Sequence, residues 1–280
     1  MFQVKFMRPE DFTFATELAN TMNWKMANED FQYMTMLEPD GCFVLWAGSE
    51  RVGIATCVSY GRVGWFGNLI VKQEYRNRGA GSVLVRHAID YLHGRGVETI
   101  GLYAYPNLIK FYLDLGFRGD EEFAVLHATA TTMPTQEAPP RIRRQNFDEV
   151  VKFDSECFGG DRRKLLESIF LDGGNLCYFL SEHGMVTGYV AAKVYQNMAE
   201  VGPLVCQADR PDAALALLRT VLAKLASFEV YVWGLPKKEV ALSRALLGFG
   251  FGEDFSVTRM FLGKPQAKNC IYLAESLERG

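Results

Sequence analysis

The 280-residue chain lacks the cysteine spacing of a metal or redox motif. Its six cysteines, Cys42, Cys57, Cys157, Cys177, Cys206 and Cys270, include no CxxC pair, and the four histidines do not cluster with them. That spacing argues against a zinc site and a disulfide framework, so no metal ligands are expected and reduced thiols are the default. A strong charge of one sign is also missing. Lysine and arginine total 30 against 33 acidic residues, a net charge of −3. This balance implies neither a general nucleic-acid binder nor a basic membrane-surface protein. No apolar run is long enough to span a bilayer. The start, Met1-Phe2-Gln3-Val4-Lys5-Phe6, alternates like a strand and lacks the apolar segment of a signal peptide. A cytoplasmic protein without membrane or nucleic-acid partners is expected. Two phosphate-binding patterns are incomplete. Gly79-Ala80-Gly81 begins a GxGxxG, but Leu84 occupies the third glycine position and the strand ending Tyr103-Ala104 lacks a ribose-binding acid. Both points count against a dinucleotide oxidoreductase, and the absence of a following Gly-Lys-Ser/Thr excludes a P-loop.

What is present reads as an ordinary globular chain, 49% hydrophobic and 22% charged. Its length suits two domains of about 100–150 residues each. An internal repeat supports that division. Leu115-Gly116-Phe117 falls against Phe249-Gly250-Phe251, and Val71 to Arg76 against Val205 to Arg210, in both cases 134 residues on. Upstream the offset becomes 135, setting Cys42-Phe43 against Cys177-Tyr178 and Gly53 against Gly188. Such a repeat means two copies of one fold in tandem. Between them, Ala128 to Pro140 is small, polar and Pro-rich, the composition of a linker. The expected organisation is a catalytic domain over 1–128, a linker over 129–140 and a degenerate, non-catalytic domain over 141–280.

Each copy carries the same coarse order of elements. A strand at Gln3–Phe6 leads into helical segments from about Pro9 to Leu37. A three-strand meander follows over Cys42–Gly48, Val52–Tyr60 and Val63–Val71, with turns at Gly48-Ser49-Glu50 and Gly61-Arg62. The spacing then predicts a helix from about Gly79 to His93, a strand over Thr99–Ala104, a helix from about Asn107 closed by Gly116, and a strand near Phe123–Ala128. The acidic run Asp120-Glu121-Glu122 reads as a solvated loop. His87 reads as a packed or edge histidine.

The stretch from Leu69, Ile70 and Val71 through Arg76, Asn77, Arg78, Gly79, Ala80, Gly81 and Ser82 carries most of the chemistry. It reads as a buried strand, a basic turn and two glycines opening a helix. A helix N-terminus holds unpaired N–H groups and partial positive charge. Glycines there let a diphosphate approach the backbone. The second copy has Pro211, Asp212, Ala213 and Leu215 in place of Asn77, Arg78, Gly79 and Gly81, and Leu246 in place of Tyr112. It keeps the core pattern without the anion cradle and is read as a structural or substrate-shaping half.

The layout of strand, Arg76-Asn77-Arg78-Gly79-Ala80-Gly81, helix, strand and Phe111-Tyr112-Leu113-Asp114-Leu115-Gly116-Phe117 resembles the GNAT superfamily of acyl-CoA-dependent N-acyltransferases. Asn23-Trp24, Pro39-Asp40-Gly41 and the ending Ile271 to Leu277 resemble, more narrowly, the tandem group with a degenerate YitH-like C-terminal domain. The resemblance implies an α+β class fold: two tandem domains, each a mixed, splayed sheet flanked by helices. It also implies acetyl-CoA as cofactor, with the strand Leu69–Val71 splayed from the strand Thr99–Ala104 to receive the pantetheine arm. Many relatives carry an asparagine seven residues before the tyrosine; here that position is Tyr105, and Asn107 lies two residues later.

The implied reaction is acetyl transfer from the thioester to a primary amine of a small molecule or peptide, by direct attack in a ternary complex. Tyr112 is the expected acid that protonates the thiolate. Glu29, Asp30, Asp40 and Glu74 are candidate bases, and a water-linked base or an amine arriving neutral would serve equally. Trp24 and Asp30 are candidate walls of the acceptor pocket. The competing reading is an acyl-CoA-binding regulatory module whose catalysis has lapsed. Either a monomer or a homodimer is compatible with a tandem pair.

Overall fold

Strands and helices alternate along the chain, and their boundaries fall at its glycine and polar breaks. A computed structural model describes residues 1–129, 138–265 and 269–280, so most of the expected linker, 130–137, lies outside the described residues. The chain divides into two compact units. One holds Met1–Leu102, Leu262–Lys264 and Arg279, and the other Tyr103–Phe261, Pro265–Glu278 and Gly280.

The first unit opens with β1 (Phe2–Phe6), α1 (Phe12–Asn20) and α2 (Asn28–Leu37). The helical segments expected from about Pro9 to Leu37 are these two helices, separated by residues 21–27. An antiparallel meander follows: β2 (Cys42–Ala47), β3 (Glu50–Tyr60) and β4 (Val63–Val71), with β1 added alongside β2. The β3–β4 hairpin turns at Gly61, whose φ of +77° costs glycine nothing. The helix α3 (Ala80–Gly94) then carries the chain back to β5 (Thr99–Ala104), parallel to β4. Parallel neighbours require such a crossover. β3 is buried at every position from Val52 to Val58, so both faces of the sheet are covered, and α1 and α3 both pack on it. On α3 the buried stripe is Leu84, Val85, Ala88 and Leu92, at the spacing of one helical face.

The second unit contains α4 (Ile109–Asp114) and β6 (Arg118–Ala128). Gly116 closes α4 at φ +95°, with the Gly116 and Phe117 N–H groups bonded to the Leu113 and Tyr112 carbonyls. The second copy follows: α5 (Phe147–Phe158), α6 (Arg163–Phe170), β7 (Leu176–Glu182), β8 (Met185–Val194), β9 (Met198–Gln207), α7 (Pro211–Leu222), β10 (Glu229–Pro236), α8 (Val240–Gly248), β11 (Gly252–Leu262) and β12 (Cys270–Leu273). Within this unit the strand order is β11-β6-β10-β9-β8-β7, and β12 pairs with β9. β6, the last strand of the first sequence copy, therefore lies antiparallel between β10 and β11. Both copies are mixed sheets flanked by helices, as the α+β reading requires.

Two sequence expectations are corrected here. Asp120-Glu121-Glu122 is part of β6 instead of a solvated loop. Asp120 pairs with Arg259 at 2.6 Å, Glu121 with Lys238 at 2.8 Å and Glu122 with Lys237 at 2.7 Å. The cations come from residues more than a hundred positions away, so a local charge count cannot reveal them. Likewise, Cys157 on α5 and Cys270 on β12 form a disulfide, against the expectation of reduced thiols throughout. They are 113 residues apart, and no spacing motif marks them. The other four cysteines are free and buried. Burial pushes the Cys42 and Cys177 thiols up to about 12 and Cys206 to about 11.

Arg162 is a fully buried cation of the second unit. Its Nη2 and Nε donate to Asp154 at 2.6 and 3.1 Å, and its Nη1 donates to Tyr272 Oη and the Gly280 carbonyl, both at 2.9 Å. Removing one partner of a buried pair strands the other charge. Arg162→Leu should therefore cost about 3–5 kcal/mol in urea unfolding of the full chain. A change below about 1 kcal/mol would refute the pairing as drawn. Thiol titration provides a second check. A native sample should react negligibly at about pH 8, since only accessible thiolates react. Denaturation without reductant should expose four thiols, and denaturation with reductant all six.

Candidate functional site

β4 and β5 pair over three positions only, Val63 with Thr99, Gly64 with Ile100 and Trp65 with Gly101. From Phe66 to Val71, β4 keeps β3 on one side, and among the described residues no strand pairs with its other edge. Two local causes lie at the fork. The Trp65 indole, 2% exposed, lies against Gly101, where an added Cβ would stand 2.3 Å from the ring. Asn68 adopts φ +50°, the β3–β4 register shifts there, and its side-chain amide donates to Thr56 Oγ1 at 3.1 Å. Leu69, Ile70 and Val71 follow this break and form the open arm.

The loop beyond the arm is fastened at both ends. Arg76 Nε donates to the Val71 carbonyl at 2.8 Å, and its Nη2 lies 3.7 Å from Met22 Sδ. Its guanidinium thus ties the loop to the end of β4. Glu50 accepts from Lys72 Nζ and from Tyr75 Oη, each at 2.7 Å. Asn77 at φ +57° and Gly79 at φ +81° then turn the backbone through left-handed conformations into α3. Among the described residues, the N–H groups of Asn77, Arg78, Gly79, Ala80, Gly81 and Ser82 have no backbone or side-chain acceptor. A Cβ built on Gly79 meets nothing within 4 Å, so open space adjoins this position of the turn. The positive end of a 15-residue helix lies behind them. Such an end is suited to an anion.

The second copy differs at this point. Pro211 removes one N–H at the start of α7, Asp212 adds negative charge in the first turn, and Arg210 pairs with Glu182 at 2.7 Å. From Leu204 to Phe249 no residue has positive φ, so the concave turn is missing.

The remaining candidates are distributed as follows. Trp24 is half-buried in the 21–27 segment, where Asn23 and Lys25 are left-handed and the Asn20 amide brackets Met26 at 2.8 and 2.9 Å. The Asp30 carboxylate accepts from the Ala27 N–H at 2.8 Å and caps α2. Asp40 lies 3.7 Å from Arg95, and Glu29 and Glu74 are exposed. His87 sits edge-on to Phe43 at 4.8 Å, and burial lowers its pKa. Tyr112 and Asn107 belong to the second unit. Tyr112, 5% exposed on α4, makes edge contacts with Phe111 and Phe117, and burial pushes its hydroxyl well above the ordinary value. Asn107 is exposed in a short turn, and Tyr105 lies 5.4 Å from Phe255.

Sequence reasoning missed the fork residues Trp65, Asn68 and Gly101 and the bracket made by Glu50. Two signals were available: Gly67-Asn68 inside an apolar strand pattern, and Gly101 in the middle of another. An isolated glycine in a strand marks a bulge or a close approach.

Residues 9–117 match the acetyltransferase (GNAT) family and residues 150–272 the acetyltransferase (GNAT) domain. The chain belongs to the GNAT acetyltransferase superfamily and carries two copies of its domain in tandem. Similar proteins include the holothin acyltransferase of Pseudoalteromonas sp. (strain SANK 73390), 25% identical over 97% of this chain and 92% of its own. The uncharacterised N-acetyltransferase YitH of Bacillus subtilis (strain 168) is 23% identical over 75% of each. A crystal structure from Pyrococcus horikoshii, assigned as an acetyltransferase, shares the fold with a TM-score of 0.81 and 23% identity, covering 100% of this chain and 96% of that one.

The fork yields its own test. Gly101→Val should overpack the Trp65 contact and destabilise the protein by about 1–3 kcal/mol in urea unfolding. An unchanged midpoint would mean that the indole does not occupy the fork.

Proposed function

We propose that the protein is an acetyl-CoA-dependent N-acetyltransferase acting on a primary amine of a small molecule or peptide in a ternary complex, in the cytoplasm. The observation that carries this reading is the run of six unpaired N–H groups from Asn77 to Ser82 at the positive end of α3. A coenzyme A diphosphate fits that run, and an extended arm fits the unpaired edge of β4 from Phe66 to Val71. The names of the holothin acyltransferase and of YitH support acyl transfer, and YitH supports nitrogen as the acceptor.

Acetyl-CoA supplies an acyl group already activated as a thioester. In this reading Arg76, Asn77, Arg78, Gly79, Ala80, Gly81 and Ser82 hold the anionic end through backbone amides and local positive charge. Leu69, Ile70 and Val71 receive the arm as an added strand, and Asn107 contacts it. A backbone N–H near Ile70 or Val71 faces the acyl oxygen and stabilises the negative charge that develops there. Trp24 and Asp30 border the acceptor. The amine nitrogen forms its bond to the acyl carbon as the carbon–sulfur bond breaks, and the amine proton leaves to water. Tyr112 gives its proton to the departing sulfur and regains one from water, so that the proton lost by the amine balances the one gained by the thiol. Burial raises the pKa of that hydroxyl, so it stays protonated and able to donate.

Calorimetry with coenzyme A and thiol release from acetyl-CoA with a panel of amines test this reading. Tyr112→Phe should lower kcat by about a hundredfold and leave coenzyme affinity unchanged. Because its pKa is raised, the wild-type rate should climb as the amine deprotonates and show no loss from tyrosine ionisation up to about pH 10. A rate that falls through about pH 8–9 with the wild-type tyrosine but not with phenylalanine would contradict the assignment. Coenzyme binding without amine-dependent thiol release would favour the lapsed regulatory module.

A further inference from the structure

We infer that the forked cleft of the second unit is a strand-binding site filled by the chain's own segment Cys270–Glu275, which stands where an acyl-carrier arm would lie and closes this half to coenzyme. β9 and β10 are parallel only over Met198–Val201 and Glu229–Val232, after which they part. β9 breaks at Gly202, φ +153°, 134 residues beyond Asn68, so the repeat sets the two forks in register. In the first unit, among the described residues, no strand pairs with the edge beyond the break. In the second, Leu204–Gln207 pairs antiparallel with β12, running from Leu204 with Leu273 to Gln207 with Cys270. The next residue reaches the other arm, since the Ala274 N–H donates to the Gly234 carbonyl of β10 at 3.0 Å. One short segment thus bonds to both arms.

Each arm has a glycine where the segment crosses. A Cβ on Gly202 would stand 2.1 Å from the Ala274 carbonyl oxygen, and one on Gly234 would stand 2.7 Å from Ala274 Cβ. Ala274 is fully buried between them, and Ile271 and Leu273 join the apolar core that includes Leu217 and Leu218 of α7. Polar and covalent anchors flank this contact. The Glu275 carboxylate meets the Lys193 ammonium, which also lies 2.8 Å from Glu200. Tyr272 Oη accepts from buried Arg162, and Cys270 is bonded to Cys157. The occupant is built into the fold through backbone pairing, complementary shape and charge.

This inference rests on the acetyl-CoA reading only for the identity of the excluded ligand, so two measurements on the full chain separate them. Hydrogen exchange should show the amides of residues 271–275 protected at least about a hundredfold over those of an exposed loop. Gly202→Val and, as a second variant, Gly234→Val should speed exchange in 271–275 and 204–207 at least about tenfold and leave α3 unchanged. Unprotected wild-type amides at 271–275 would overturn the inference whether or not the variants fold. Calorimetry should give one coenzyme A per chain, and two would overturn it. If none binds, the acetyl-CoA reading fails, and the exchange result alone decides whether the cleft is filled.

Discussion

A parallel strand pair that stops pairing partway leaves two rows of backbone N–H and C=O groups facing each other with nothing between them. Buried backbone groups need partners, so an open fork is tolerable only where solvent, a ligand or another segment can reach it. Both units have a strand pair that parts in this way, and in the second β12 pairs with one of the freed edges. Trp65 lies against Gly101 at its base in the first unit, and a positive-φ break follows at Asn68. The second unit keeps the break at Gly202. Much of what distinguishes the two copies follows from how each treats this gap.

In the first unit the gap is continuous with an ordered loop. Arg76 spends its guanidinium on the Val71 carbonyl, and Glu50 gathers Lys72 and Tyr75. These contacts fasten the loop that leads into the turn carrying the six amides. Preorganisation of this kind lowers the ordering cost of binding. In the second unit Pro211 and Asp212 remove the same feature, and buried pairs such as Arg162 with Asp154 occupy the interior instead. Such pairs contribute little net stability, and replacing both partners with apolar residues is often neutral. Their effect here is geometric: they hold α5, α6 and the C-terminal segment in one arrangement.

Much of the architecture was legible from local pattern. The strand Thr99–Ala104 was read with the observed limits, the β2–β3–β4 meander to within a few residues, and the closure of α4 at Gly116 from its glycine. Periodicity and turn chemistry act over a few residues, which is why these elements were readable. The repeat offset was legible too, because the core positions of both copies keep their apolar character. The forks were not, although Gly67-Asn68 and Gly101 hinted at them, because a strand's edge partner is chosen by segments far away. The same holds for the acidic run in β6, whose cations lie on β11 and beyond β10, and for the Cys157–Cys270 disulfide.

The sequence by itself determined that two copies of one mixed α+β fold follow each other, that the first keeps a glycine-rich helix start and that the second has lost it. These are matters of residue type at fixed spacing, and spacing survives without coordinates. Only the tertiary structure decided that β6 of the first copy joins the sheet of the second unit, that Arg76 serves the end of β4, and that β12 pairs with the freed edge of β9. Each depends on which distant segment reaches an unpaired backbone edge or a buried charge. That is set by the global packing of the chain, and no local run of residues encodes it.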